Sequence, residues 1–395
     1  MKRSLNLWMI LFILLSVSCN QKKPAAKETT PAATGINNQL TEKEKSGGLM
    51  TPEILWKFGR LGSIALSPDG STVLYTVTKI DLQSEARETN IFRMPVEGGE
   101  AIQLTRDGGS SPQWFDAGKK IAFAKGDNLF TMNPDGSDQK KVEGIEGFEI
   151  FSIAPQGNMI YYTKRVKLDQ TANEKYNLPK AKVRIIDGLM YRHWNYWSDY
   201  SYSHIFVAPF DGATVTGPKD IMEGQKFESP LSPYFDEAEI TWSPDGKYVA
   251  YTTKRLRGKE DARSTNSDIY LYEVATGKEV NISVGNMGYD RLPVFSPDGA
   301  KIAYQSMQRD GYEADLDRLF VYDIKTGTRD WITKGWEFDV ENIRWADNQN
   351  IYFICAHMGT SQVFKTELVQ ACLDDRILHH IIPYQPGPEV LDHDH

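Results

Sequence analysis

With 395 residues, of which 40% are hydrophobic and 25% charged, the chain has the make-up of a folded globular protein and room for one large repeat-built domain or two ordinary ones. Its formal net charge of -8 at pH 7 excludes nucleic-acid binding as a main function, because phosphate contacts need clustered Lys and Arg that outweigh the surrounding acid.

The first 19 residues read as an export signal. Lys2 and Arg3 form a positive n-region, and Leu5 to Val17 is an apolar stretch too short to rest as a membrane span. It stops at Ser18-Cys19, and a small residue directly before a cysteine resembles the bacterial lipoprotein processing site, in which Cys19 becomes the lipidated first residue; ordinary cleavage nearby is the alternative. Residues 20–48 hold Lys, Thr, Ala, Pro and Gly with almost no large apolar side chain, the composition of a flexible tether. An exported protein of the periplasm or outer membrane is expected, touching the membrane through the lipid.

From residue 49 onward one pattern recurs. "IALSPDGSTVLYTV" around Ser67, "PQWFDAGKKIAFA" around Phe115, "FSIAPQGNMIYYT" around Ala154, "ITWSPDGKYVAYTT" around Ser243, "PVFSPDGAKIAYQS" around Ser296 and "NIRWADNQNIYFI" around Ala346 share one phase. Their spacing is roughly 40–50 residues, with one interval of about 90 between Ala154 and Ser243 that leaves room for an insertion or a degenerate extra unit. Ser-Pro-Asp-Gly predicts a tight turn: Pro presets φ, Asp caps a neighbouring amide and Gly accepts positive φ. In Val249-Ala250-Tyr251 and Ile302-Ala303-Tyr304 the alanine lets a neighbouring sheet approach on one face while the bulky residues fill the other. Second hairpins begin at Ile91, Leu129, Ile269 and Leu319. Two hairpins make a four-stranded sheet that cannot cover both its faces alone, so the expected fold is all-β: a β-propeller of four-stranded blades with six recognisable units over residues 49–369.

Residues 164–204 are the longest departure from the repeat. Tyr191, Trp194, Tyr196, Trp197, Tyr200 and Tyr202 stand beside Arg192, His193 and Asp199, a mixture suited either to a peptide-binding mouth or to packing between blades. Packing is the simpler reading. His204 and His357 stand alone in strand-like contexts and read as structural. Cys355 and Cys372 lack metal-ligand spacing and read as unpaired thiols. Residues 370–395 keep no blade phase; His379, His380, His393 and His395 lie there with Asp374, Asp375, Asp392 and Asp394, without the spacing of a closed metal site. Neither a metal nor a cofactor is expected.

Together, Thr51-Pro-Glu-Ile-Leu-Trp before the first turn, Arg192-His193-Trp194, Ser203-His204 and Gly311-Tyr312-Glu313-Ala314-Asp315 resemble the dipeptidyl- and acyl-aminoacyl-peptidase branch of the prolyl oligopeptidase family. Single Ser-Pro-Asp-Gly turns also occur in the propeller of the Tol system; the combination is more specific. The resemblance implies a propeller of seven blades in the full family fold, capping an α/β-hydrolase domain whose serine sits in Gly-x-Ser-x-Gly. This sequence contains no such motif, and after the propeller it lacks the further ~200 residues a hydrolase domain would need. No catalytic residue is therefore assigned. The resemblance makes Arg192, His193, Trp194, Asp199, Glu313 and Asp315 the candidates for contact with an oligopeptide substrate.

The expected function is that of a substrate-gating propeller portion of a secreted serine exopeptidase acting on oligopeptide N-termini, truncated near Val369 and not hydrolytic by itself. A stand-alone propeller lipoprotein that binds a protein partner in the cell envelope is the alternative. An unclosed ring would expose sheet faces, so self-association is expected as well.

Overall fold

The recurring turn closes through its own side chains. Ser67 Oγ donates to Asp69 Oδ1 (2.5 Å) and accepts the N–H of Thr72 (2.9 Å); the same carboxylate accepts the N–H of Ser71 (3.0 Å), and Gly70, at φ 72°, donates its N–H to the Ser67 carbonyl (2.9 Å). Ser243–Asp245 and Ser296–Asp298 repeat the arrangement at 2.8 and 2.6 Å, with Tyr248 and Lys301 donating to the serine hydroxyls, each at 2.9 Å. The Ser67 hydroxyl, together with the Ser71 amide and hydroxyl, holds the Asp69 carboxyl down to about 2. Asp is thus the acceptor that the expected turn required, and Gly supplies the positive φ.

The computed structural model describes residue 36 and residues 38–368 apart from 178–179, 181–182, 187 and 232–235. The stretch expected to be an export signal, Cys19, Cys372 and the histidine-containing tail lie outside the described residues. Within the compact unit Ile36–His395, each recurring turn joins the first two strands of one antiparallel sheet. Blade 1 is β1 (Arg60–Leu66), β2 (Thr72–Ile80), β3 (Arg87–Pro95) and β4 (Ile102–Gln103); blade 2 is β5 (Ser110–Phe115), β6 (Lys120–Lys125), β7 (Asn128–Met132) and β8 (Lys140–Lys141). Blade 3 pairs β9 (Phe151–Ile153) with β10 (Met159–Lys167), and between β10 and its third strand the chain makes the small pair β11 (Arg192–His193) and β12 (Tyr196–Trp197) before returning in β13 (Ser201–Pro209) and β14 (Lys219–Asp220). Blade 4 comprises β15 (Ile240–Trp242), β16 (Tyr248–Thr253), β17 (Asp268–Glu273) and β18 (Glu279–Asn281); blade 5 comprises β19 (Asp290–Phe295), β20 (Lys301–Ser306), β21 (Arg318–Asp323) and β22 (Arg329–Trp331). Blade 6 has three described strands, β23 (Glu341–Trp345), β24 (Asn350–His357) and β25 (Thr360–Glu367).

This is a six-blade propeller. The interval of double length holds an insertion inside blade 3, and no seventh blade occurs among the described residues. Part of the stretch expected to be tether carries structure: α1 (Glu42–Ser46) has a capping box in which Thr41 and Glu44 satisfy each other's backbone amides, and α2 (Pro52–Lys57) follows with Thr51 as its cap. No helix among the described residues is long and apolar enough to cross a membrane.

The core is divided into five clusters, each shared by two consecutive blades. Alternation along the second strand decides which seam a residue joins. Ala303 packs forward with Leu319 and Val321 against blade 6, while Ile302 and Tyr304 pack backward with Ile269 and Leu271 of blade 4. Three tryptophans at or next to the ends of first strands fasten these seams. Trp114 Nε1 donates to the Ala65 carbonyl (3.1 Å), Trp242 Nε1 to Ser152 (3.1 Å) and Trp345 Nε1 to Val294 (3.0 Å), in each case a strand of the preceding blade. Inside the blades, a hydroxyl following the fourth strand caps the third: Thr105, Ser283 and Thr333 accept the amides of Ile91, Ile269 and Leu319 at 2.9 to 3.0 Å.

Two buried acids lie at the seam of blades 4 and 5. Glu239 precedes β15 and reaches the Leu292 amide (3.4 Å), and Asp290 opens β19 and accepts from Asn286 Nδ2 (3.0 Å). Burial pushes each carboxyl up to about 7. Cys355 is a buried free thiol, its pKa raised by burial.

Two outcomes follow. Trp242→Phe, which keeps an aromatic ring but removes the Nε1–H, lowers the urea unfolding free energy by about 1 kcal/mol, whereas Trp242→Ala costs about 3 kcal/mol or more; a Trp242→Phe variant as stable as the native chain would show that the indole N–H does nothing at the seam. For Glu239 the folded value of about 7 exceeds the ordinary 4.5. Its contribution is therefore intact below pH 4.5 and lost as pH rises toward 7, a change on the order of 3 kcal/mol. Glu239→Gln narrows the difference in melting temperature between pH 5 and pH 8; an unchanged difference would remove Glu239 as its source.

Candidate functional site

The connections between second and third strands all emerge on one face of the propeller, since every blade has the same up-and-down order. In blades 2 and 6 they are tight turns at Gly126-Asp127 and Met358-Gly359. Blades 3, 4 and 5 carry long connections instead, and these touch in sequence. A Cβ placed on Gly258, at the start of α4 (Gly258–Arg263) in the blade 4 connection, would lie 3.9 Å from the Leu189 carbonyl oxygen of the blade 3 insertion. One placed on Gly311 in the blade 5 connection would lie 3.1 Å from the Arg263 carbonyl oxygen. Asp310 accepts the Ser264 hydroxyl (2.5 Å) and the Thr265 amide (3.1 Å), and Gly311 donates to the Thr265 hydroxyl (3.1 Å).

The blade 3 insertion leaves a long ladder. β10 and β13 pair from Met159↔Pro209 to Lys167↔Ser201, so the two ends depart side by side. A short helix, α3 (Ala172–Lys175), follows, capped reciprocally by Thr171 and Glu174 and tied back by Lys167 to Glu174 at 2.5 Å. In the β11–β12 hairpin Arg192 pairs with Trp197 and His193 with Tyr196. Arg192 donates through Nε to the Trp194 carbonyl, and His193 meets the Trp194 ring edge-on at 5.4 Å. Arg184 stacks on Trp197 at 4.2 Å, with Arg192 at 5.3 Å.

Tyr191, Trp194, Tyr196 and Trp197 are exposed, which corrects the simpler reading that they pack between blades. The seams are built from residues alternating along long strands, and two-residue strands projecting beyond the sheet have no neighbouring blade to meet. Tyr202, on β13 itself, is half-buried.

Asp199 stands at the base of the insertion, where its carboxylate accepts the Ser201 amide (3.0 Å) and faces Arg165 at 3.5 Å; Arg165 lies 3.9 Å from Glu228. Partial burial acts to raise its pKa, but the Ser201 amide and hydroxyl and the Arg165 charge prevail and hold it below the ordinary carboxylate value. Asp199 is thus an ionised group on this face. Glu313 is exposed on the blade 5 connection. Asp315, two residues on, is buried and organises that loop: it accepts the amides of Gln308 and Arg309 (2.8 Å each) and of Leu316 (2.9 Å), and Arg309 reaches it at 3.1 Å. Despite burial, these donors keep its carboxyl well below the ordinary range.

Of the six candidates, Arg192, His193, Trp194 and Asp199 share the insertion, Glu313 lies on the next connection but one, and Asp315 shapes the loop that presents Glu313. Arg165, Arg184 and the Arg309–Tyr312 stack at 3.9 Å belong to the same face and were not singled out from sequence. A scattered arginine has no signature until the fold shows which ring lies beneath it. His204 is structural: fully buried, it places Nδ1 2.8 Å from Asp220 and Nε2 2.8 Å from the Gln225 carbonyl. Among the described residues, no group of three or more His, Cys, Asp or Glu is placed to hold a metal ion.

A family model described as the TolB beta propeller domain matches residues 231–377. Dipeptidyl-peptidase 5 of Porphyromonas gingivalis is 37% identical over 342 residues, covering 82% of this chain and 48% of the relative. The protein of the same name from Porphyromonas endodontalis is 39% identical over 299 residues, covering 73% and 43%. The chain spans about half the length of the curated relatives it matches. Among solved structures, the acylaminoacyl peptidase of Pyrococcus horikoshii shares the fold with a TM-score of 0.58 at 18% identity, over 79% of this chain and 45% of that one. The propeller domain of the Trilobed protease from Pyrococcus furiosus, which its structure describes as an open velcro topology, gives 0.50 at 16% identity over 79% and 82%. With its six blades and its likeness to the dipeptidyl-peptidases 5, the chain carries a propeller portion of that peptidase family.

Proposed function

We propose that this chain is the substrate-gating propeller portion of an exported serine exopeptidase acting on the amino termini of oligopeptides, and that it does not hydrolyse peptides by itself. One observation carries the reading: the similarity to dipeptidyl-peptidase 5 runs over 82% of this chain but 48% of the relative. The loop face supplies matching chemistry. Exposed aromatic planes on β11–β12 suit apolar side chains, the arginines suit peptide carbonyls and carboxylates, and the ionised Asp199 and exposed Glu313 suit an ammonium group. The lipidated residue of the exported form is Cys19.

Calorimetric titration of the full chain with an unprotected tripeptide and its N-acetylated form tests the gate. The free amino terminus binds more tightly, by about fivefold or more, and either Asp199→Asn or Glu313→Gln removes the preference. Equal binding of both peptides, or none, sinks this reading. The same preparation releases no fluorophore from dipeptidyl coumarylamides, and release above the buffer rate would refute the claim that it is not hydrolytic. In a bacterial host, Cys19→Ala moves the chain from the membrane fraction to the soluble envelope fraction; unchanged fractionation would rule out the lipid anchor.

A further inference from the structure

Asp290 stands where the connections of blades 4 and 5 are rooted. Its backbone and the Ser267 side chain bond in both directions: Ser267 Oγ donates to the Asp290 carbonyl at 2.9 Å and accepts the Asp290 amide at 3.2 Å. Ser267 lies two residues after Thr265, at the end of the blade 4 connection. On its other side Asp290 pairs with Ser306, the last residue of β20, from which the blade 5 connection departs. Asn286 Nδ2 ties the two side chains together, donating to Asp290 Oδ1 at 3.0 Å and to Ser306 Oγ at 2.6 Å. Above these roots the connections meet again, Asp310 accepting from Ser264 and Thr265 and Gly311 donating to Thr265. Chain and hydrogen bonds thus form a closed circuit through Asp290.

The carboxyl in this circuit is 0% exposed, and no cationic side chain pairs with it among the described residues. Facing it are Asp268 from β17, Ser283 and Asn286 from the segment after β18, and Ser306 and Tyr304 from β20, with Arg329 of β22 beside Tyr304. Arg291, next on its own strand, is held by Asp317 at 2.6 Å, and across the seam Glu239 reaches the Leu292 amide. Asp290 Oδ2 meets no protein donor among the described residues. An ionised carboxylate here gives up its hydration without a counter-charge and is repelled by Asp268, whereas a protonated carboxyl bears neither cost and gains a donor. All of these groups belong to blades 4 and 5 and the segments that lead into them.

We propose that Asp290 is a proton-controlled latch for the junction between the blade 4 and blade 5 connections. With its proton in place the circuit is closed; when the proton leaves to solvent, the roots at Ser267 and Ser306 part and Thr265 is released from Asp310 and Gly311, while the other blades stay folded. The latch governs how the loop organised by Asp315 is held, and with it the position of Glu313. It rests on the seam alone and does not depend on the proposed peptide gate.

Hydrogen exchange of the full chain, read by mass spectrometry at about pH 6 and pH 8.5 with labelling times scaled to the intrinsic amide rate, tests the latch. The amides of Thr265, Asp290 and Met307, which bond to Asp310, Ser267 and Tyr289, exchange about tenfold faster or more at the higher pH, because only the open form releases the proton freely. Amides of β6 in blade 2 keep their scaled rates. Asp290→Asn, which cannot ionise, holds the junction amides at their slow rate at both pH values. Should that variant fail to fold, Asn286→Ala serves instead: it removes the donor that favours the ionised form, so the acceleration moves to higher pH. Junction amides with no acceleration overturn the proposal, as does an acceleration shared by β6, one that persists in Asp290→Asn, or one that Asn286→Ala leaves in place.

Discussion

The whole structure rests on the seam between consecutive blades. A four-stranded sheet whose residues alternate between two faces must bury both, and here it does so by giving each face to a different neighbour. The two faces are not alike. Ala122, Ala250 and Ala303 place a small side chain on the back of their second strands, and a bulky residue at the end of the next first strand fills the space. Where a first strand carries Trp114, Trp242 or Trp345 at or next to its end, the indole N–H also satisfies a carbonyl of the preceding blade, so apolar packing and hydrogen bonding fix the same register. First strands bend to reach their neighbours: the ladders of blades 1, 2, 5 and 6 each break register near the start of the strand. Ser111, Leu292 and Asn342 take positive φ at three of these breaks, and in blade 1 the break contains Gly62, where a Cβ would come within 2.5 Å of the Thr76 hydroxyl.

Much of this was legible in sequence because local chemistry repeats. The Ser-Pro-Asp-Gly turn needs partners no more than five residues away, so the string predicts the bonds that Ser67, Asp69 and Gly70 make. The small-between-large pattern likewise predicts which face of β16 and β20 another sheet approaches. The capping hydroxyls Thr105, Ser283 and Thr333 were missed although they too repeat. Each is bonded 14 residues back, across two strands and the turn between them, and a Ser or Thr in "QLT", "NIS" or "WIT" has no local reason to be singled out.

The loop face was partly legible. Residues 164–204 stood out because they break the period, but composition could not say whether an insertion or an extra sheet filled the interval; nine paired residues in β10 and β13 decide it. Aromatic content suggested burial, the usual fate of such side chains, and failed because exposure depends on the neighbours a segment has. Glu313 and Asp315 stand in one motif with equal claims as carboxylates. The amides of Gln308, Arg309 and Leu316 and the guanidinium of Arg309 separate them, making one a loop organiser and leaving the other at the surface.

The ladder beneath the insertion has a further consequence. Because Lys167 and Ser201 are paired partners, the chain leaves and re-enters the sheet at a fixed separation however long the excursion between them. Lengthening, shortening or recomposing residues 168–200 leaves the seams of blade 3 untouched. The frame and the loop face of this protein can therefore diverge at different rates, with selection free to rewrite one while the other stays under the constraint of packing.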